Sequence, residues 1–226
     1  MSGVESVLHE KPGATRPGHI LRYTFLERLN HWIGAAFYCY LLLTGLAFWS
    51  PYLYWIATVF GGGPSARFWH PIAGVAFFIS MLWMFHDWHE DMRTTDADIR
   101  WKNAVGYYIR NEDEKLPPVG RFNWGQKQFF WVMFYGVILL LLSGIVLWFV
   151  NDLPWSWRAL RYAAILVHVG AGLITIGAFI IHVYMGTAMV RGDFSSIIRG
   201  EVTTAWAQTY HRLWYEKVTG STAAKR

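Results

Sequence analysis

His168 and His182 sit fourteen residues apart inside AILVHVGAGLITIGAFIIHVYM, residues 163–184, a segment otherwise almost wholly apolar. Two more histidines, His31 and His70, lie near the starts of other apolar stretches. A bare imidazole in hydrocarbon is costly, so an intramembrane histidine normally has a partner. Haem iron takes two axial ligands, and neutral imidazole nitrogen is a suitable one. Four histidines in such surroundings therefore point to electron-transfer chemistry at haem iron held by pairs of histidines.

The elements that must position them follow from composition. The 226 residues are 54% hydrophobic and only 15% charged, where a soluble domain carries about 25% charged residues. Apolar residues cluster in four blocks, roughly 29–50, 68–88, 128–150 and 160–190. Each block is long enough for a helix to cross a hydrocarbon core of about 30 Å. Buried helices of a soluble protein would show polar faces, and these blocks show almost none. The expected fold is an all-α membrane protein with four transmembrane helices in a bundle. It divides into an N-terminal segment 1–27, a membrane domain 28–190 with a loop at 89–123, and a C-terminal tail 191–226. Residues 1–28 hold no apolar core of the signal-peptide kind, so the first span is expected to serve as the insertion signal. No convincing repeat stands out. The single cysteine, Cys39, can form no intrachain disulfide and cannot hold an iron–sulfur cluster alone, and it reads as a packing residue.

Basic residues set the orientation. All but Arg67, Arg158 and Arg161 of the 20 Lys and Arg residues fall in the N-terminal segment, in the connection between the second and third blocks, or in the C-terminal tail. Both termini are therefore expected in the cytoplasm. The net charge of +5 comes from this inner belt and calls for no nucleic-acid partner. Trp and Tyr crowd the span ends, as in SPYLYW and LPWSWRALRY, which suits anchoring at the interface with lipid.

This topology sorts the histidines by depth. His31 falls near the inner side and His70 near the outer side. On the fourth span, fourteen residues at 1.5 Å each separate His168 from His182 by about 21 Å along the axis. The rotation, about 1400°, falls about 40° short of four full turns, so both rings leave nearly the same face. Two pairs result: His70 with His168 outside, and His31 with His182 inside. Gly45, Gly74, Gly172 and Gly186 lie fourteen or four residues after a histidine and would make room for a macrocycle, although glycines also serve ordinary helix packing. Zinc would call for cysteine or a closer ligand cluster. A proton relay would call for membrane-embedded Asp or Glu, absent from the apolar cores of these blocks. His86 and His89 in FHDWHE could ligate metal or replace an inner ligand, but Asp87, Glu90 and Asp91 mark that stretch as interfacial. His9, His19 and His211 lie in polar flanks, where no special role is expected.

In the stretch RFNWGQK, Asn123 and Gln126 offer amide donors and acceptors, and Gly125 allows close backbone approach. The same residues also fit a helix start, with Asn123 as N-cap and Gln126 three later as in a capping box.

The motifs ERLNHW, FWHPIAG, RFNWGQKQFFW, LVHVGAG and IHVYMG, in this order over residues 20 to 215, resemble the gamma subunit of membrane-bound respiratory formate dehydrogenase, a di-haem b-type cytochrome of the bacterial inner membrane. The resemblance implies His70 and His168 as ligands of an outer haem, and His31 and His182 as ligands of an inner haem. It implies a quinone beside the inner haem at Asn123 and Gly125, to which we add Gln126. It also implies two partners: an iron–sulfur beta subunit, and a catalytic alpha subunit oxidising formate at molybdenum or tungsten. Electrons would pass from the beta subunit through this chain to quinone. The cytochrome b of a membrane-bound nickel–iron hydrogenase or a related reductase is an alternative, and a haem-free membrane anchor is another. Residues 1–19 lie outside the resemblance.

Overall fold

The computed structural model describes residues 16–220. Four long helices carry the apolar blocks: α1 (Phe25–Trp49), α3 (Gly62–Trp88), α6 (Trp124–Trp148) and α7 (Arg158–Tyr184). The shorter elements are β1 (His19–Leu21), α2 (Ile56–Val59), α4 (Asp96–Asn103), α5 (Val105–Ile109), α8 (Asp193–Arg199), β2 (Glu201–Thr203), α9 (Thr204–Tyr210) and α10 (Arg212–Thr219). The fold is thus mainly helical, with one two-stranded sheet that composition did not announce.

The long helices show the side-chain placement that a lipid solvent requires. Leu166, Ile174 and Ile180 are exposed, whereas Asn30, Thr44, Ser80, Ser143 and Thr175 are buried. Apolar side chains meet lipid, and the few polar ones find partners inside. Cys39 is exposed as well, so it lies on the lipid-type surface and does not fill the core.

The chain divides into two compact units. One comprises Asn30–His86 and Trp131–Ile180. Within it, α1 and α3 are joined by a buried polar link: Asn30 Nδ2 donates to the Ser80 carbonyl at 3.1 Å, and Ser80 Oγ donates to Asn30 Oδ1 at 2.8 Å. The helices approach closely because Gly34 faces Ser80. A Cβ on Gly34 would fall 2.8 Å from Ser80 Oγ. Gly136 plays the same part between α6 and α7, where an added Cβ would fall 2.6 Å from Thr175 Cγ2. Small residues at such crossings let backbones gain van der Waals contact where lipid supplies no hydrophobic drive.

The other unit gathers residues 16–29, 87–130 and 181–220, three polar stretches far apart in sequence. β1 and β2 pair antiparallel with Ile20 opposite Val202. Ile20, Val190, Val202, Trp206, Ala207 and Trp214 form the core. The Arg22 guanidinium is buried over the Trp206 ring at 4.6 Å, a cation–π contact that is strong once desolvated. Gly200 turns the chain back in the left-handed region, and its carbonyl accepts from the Arg22 and Tyr23 amides. Arg121 binds Glu27 at 2.6 Å and the Arg22 carbonyl at 2.9 Å. Glu27 also closes the capping box with Thr24 that starts α1 and accepts from Trp88 Nε1.

His211, which polar flanks had suggested was incidental, is 1% exposed and bonds the Gly120 carbonyl through Nδ1 at 2.8 Å. Burial, reinforced by the nearby Arg22 charge, holds its pKa well below the ordinary histidine value. The folded state therefore keeps His211 neutral, while the unfolded chain binds a proton near pH 6.5. Its contribution to stability is present above about pH 6.5 and is lost as pH falls, at up to about 1.4 kcal/mol per unit. Protease protection of the tail is expected to fall below pH 6.5 in the wild type. His211→Asn, which keeps an amide donor, is expected to lack this acid-sensitive component. Equal slopes for the two proteins would show that His211 does not titrate this way.

Candidate haem and quinone sites

His70 projects from α3 one residue before Pro71, which removes a helical N–H and loosens the ladder beside the histidine. His168 projects from α7. The two ring centroids lie 6.3 Å apart, with planes inclined by 55°. Metal–imidazole bonds run to about 2.0–2.1 Å, and nitrogen lies about 1.1 Å from the ring centre, so two imidazoles on opposite sides of one metal would place their ring centres about 6.2–6.4 Å apart. The spacing therefore fits one iron between them. Thr44 Oγ1 lies 2.7 Å from His70 Nδ1, and Ser143 Oγ lies 2.9 Å from His168 Nδ1. Those contacts occupy Nδ1 on each ring and leave Nε2 for ligation.

The rings border a cavity of about 1220 Å³, above the roughly 300–1000 Å³ of ordinary small-molecule pockets. Its walls are mostly apolar, and Gly45, Gly74, Gly144 and Gly172 line it. These glycines make the room. A Cβ on Gly144 would fall 3.3 Å from His168 Cε1, and one on Gly45 would fall 3.7 Å from His70 Cε1. Gly45 thus borders His70, although its sequence spacing had tied it to His31. Gly144, Thr44 and Ser143 escaped the sequence reading because small and hydroxyl residues are routine in membrane helices.

His31, near the start of α1, meets the Trp32 ring edge-on at 5.4 Å. His182 stacks on Phe129 at 4.2 Å with planes 4° apart, just before α7 widens into a π-helical turn at Met185–Met189. Such turns are frequent at functional sites. His31 and His182 belong to different units. His89 pairs with Glu90 at 3.1 Å. Among the described residues, no cluster of three or more His, Cys, Asp or Glu side chains could hold a metal ion.

Asn123 and Gln126 form the reciprocal capping box that starts α6. The Asn123 N–H donates to Gln126 Oε1, and the Gln126 N–H donates to Asn123 Oδ1, both at 3.0 Å. Both side-chain oxygens are thereby committed to the backbone, and each residue keeps its amide NH2. Asn123 is buried and also hydrogen-bonds Tyr108, whose pKa burial raises. Gln126 and Gly125 are half-buried. Gln126 precedes Phe129 by three residues and so shares its helix face, the face on which His182 stacks.

Four helices of membrane-spanning length, with two facing histidines beside a large apolar cavity, define a helical membrane cytochrome. Residues 22–200 match the family described as prokaryotic cytochrome b561, and the chain belongs to that family. Its b-type haem and its place as a multi-pass protein of the bacterial inner membrane go with that membership. The formate dehydrogenase cytochrome b556(fdo) subunit of Escherichia coli (strain K12) is 35% identical over 210 residues, covering 91% of this chain and 96% of that one. The nitrate-inducible formate dehydrogenase cytochrome b556(Fdn) subunit of the same organism is 31% identical over 209 residues, covering 91% and 94%. A formate dehydrogenase cytochrome b556 subunit of Haemophilus influenzae is 27% identical over 198 residues. These relatives bear out the resemblance read from the five sequence motifs.

Proposed function

We propose that this chain is the di-haem cytochrome b subunit of a formate dehydrogenase complex, reducing quinone at its cytoplasmic side. The observation that carries the haem part is the His70–His168 pair, at the separation one iron requires and beside a cavity of haem size. His31 and His182 are assigned to the second haem, on the inner side. When bound, the haems would supply one-electron transfer between an iron–sulfur partner and quinone. The relatives are named as subunits of formate dehydrogenase, and the family resemblance assigns the partners: an iron–sulfur subunit and a molybdenum- or tungsten-containing catalytic subunit. Orientation with both termini in the cytoplasm rests on the basic belt, and a reporter fused to the C-terminus reads it directly.

The quinone site is assigned to Asn123, Gly125 and Gln126 with His182. A quinone carbonyl gains electron density on reduction, so a fixed N–H donor there stabilises the reduced forms. The capping box supports this role because it fixes both amides while leaving their NH2 groups uncommitted to the backbone. A cap and a donor can be separated by substitution. Asn123→Asp and Gln126→Glu keep the capping oxygens and remove the NH2 donors, whereas Asn123→Ala also uncaps α6 at a cost of about 1 kcal/mol. In the assembled complex, formate is expected to reduce both haems normally in Asn123→Asp and Gln126→Glu. Reoxidation by added quinone is expected to slow by roughly a hundredfold, as for loss of a single transition-state donor. Unchanged reoxidation in both carboxylate variants would move the quinone site elsewhere.

A further inference from the structure

Residues 41–49, LLLTGLAFW, and 140–148, LLLSGIVLW, follow one pattern. The sequence reading found no convincing repeat, because nine residues of leucine-rich helix resemble any membrane span. The cavity shows that the match is spatial. Six positions of each stretch line it, paired one to one from Leu41 and Leu140 to Trp49 and Trp148. The histidine-bearing helices match as well: His70 is followed four residues on by Gly74, and His168 by Gly172, and all four line the cavity. Each half of the site thus consists of a hydroxyl followed by glycine on one helix and a histidine on the next.

The hydroxyls do the same thing in both halves. Thr44 Oγ1 donates to the Tyr40 carbonyl at 2.8 Å, and Ser143 Oγ donates to the Leu139 carbonyl at 2.6 Å. A hydroxyl has one hydrogen, and here it is spent on the helix four residues back. With that hydrogen on the helix, each oxygen accepts from the histidine, which puts the protons of His70 and His168 on Nδ1; for His168 the Leu140 carbonyl is a second acceptor. That tautomer leaves the lone pair on Nε2, the atom that ligates. Both hydroxyls are buried, Thr44 completely, so no water competes for the contact.

We propose that Thr44 and Ser143 are matched positioning residues of the outer haem, each fixing the tautomer and ring orientation of one axial histidine and lowering the haem's reduction potential. This rests on the reading that His70 and His168 share one haem. A hydrogen bond from Nδ1–H makes the imidazole a stronger electron donor, which favours oxidised iron. Hydroxyls in helices also bond the preceding turn for packing alone, and a potential distinguishes the two roles.

The test is a redox titration of the haem absorption bands in the assembled complex. The outer haem is identified as the one missing from His70→Ala. Thr44→Val and Ser143→Ala are each expected to raise its midpoint potential and leave the other haem unchanged. The shifts are expected to add in the double variant. Thr44→Ser, which keeps the hydroxyl, is expected to restore the wild-type value. Haem lost in Thr44→Val but kept at wild-type potential in Thr44→Ser also supports the assignment. Unchanged potentials with haem retained would overturn it, as would haem loss in Thr44→Ser equal to that in Thr44→Val. A wild-type complex that loses no haem on His70→Ala fails the functional reading itself, a result distinct from these.

Discussion

His70→Ala and His168→Ala are each expected to halve the haem content of the subunit, from two b haems to one, by the pyridine haemochrome assay. In the proposed arrangement the two residues would hold one haem iron between them, and their ring centroids lie 6.3 Å apart. Removing either imidazole would take away one of the two ligands, and the residues lining the cavity offer no other histidine, methionine or cysteine to replace it. The two variants should therefore lose the same haem, shown by identical residual spectra. His31→Ala and His182→Ala should each lose the other one, with a residual spectrum complementary to the first. Two haems retained in His70→Ala, or different haems lost from His70→Ala and His168→Ala in intact complex, would break the pairing. The His70–His168 spacing supports one pair directly. The other pair rests on depth along the helices and on the family resemblance, so its variants are the more informative half of the experiment.

Lys127→Met is expected to destabilise the subunit by about 3–5 kcal/mol, the usual cost of leaving one charge of a buried pair alone. Lys127 Nζ binds Asp98 Oδ2 at 2.7 Å, with the two side chains only 6% and 1% exposed. It also donates to the Arg93 carbonyl at 2.7 Å. Asp98 meanwhile closes the Thr95 capping box that starts α4. This pair ties residues 93–98 to the first turn of α6, one turn beyond Asn123. The double variant Lys127→Met/Asp98→Asn keeps a capping oxygen and removes both charges, so most of the lost stability should return. Denaturant titration of the solubilised complex, followed by tryptophan fluorescence, measures both effects. A loss below about 1 kcal/mol in Lys127→Met would class the pair with solvent-screened surface bridges and overturn the prediction.

How much of this was legible in the sequence depended on how local the physical cause was. A hydrocarbon core admits few chain conformations, so four long apolar blocks determined four long helices without further information. The same solvent makes any histidine inside it conspicuous, and His31, His70, His168 and His182 stood out for that reason alone. The alternative roles of Asn123 and Gln126 were both visible from their spacing, and the reciprocal bonds establish the cap. The five motifs carried the family resemblance, because their order over four spans is more specific than any one of them.

What the tertiary structure decided lies at long range in sequence. Thr44 meets His70 across 26 residues and Ser143 meets His168 across 25. A hydroxyl in a leucine-rich helix gives no sign of its partner until two helices pack. Gly45 was tied by periodicity along its own helix to His31, yet borders His70, because a glycine serves whichever side chain the neighbouring helix presents. His211 stood in a polar flank where no special role was expected, and Arg22 in the basic N-terminal segment, but Trp206, Val202 and Val190, distant in sequence from Arg22, enclose a core there. Aromatic and aliphatic residues scattered singly through three polar stretches form no periodic pattern. Only their convergence buries them and the charged groups among them, and local sequence carries no record of which distant segments converge.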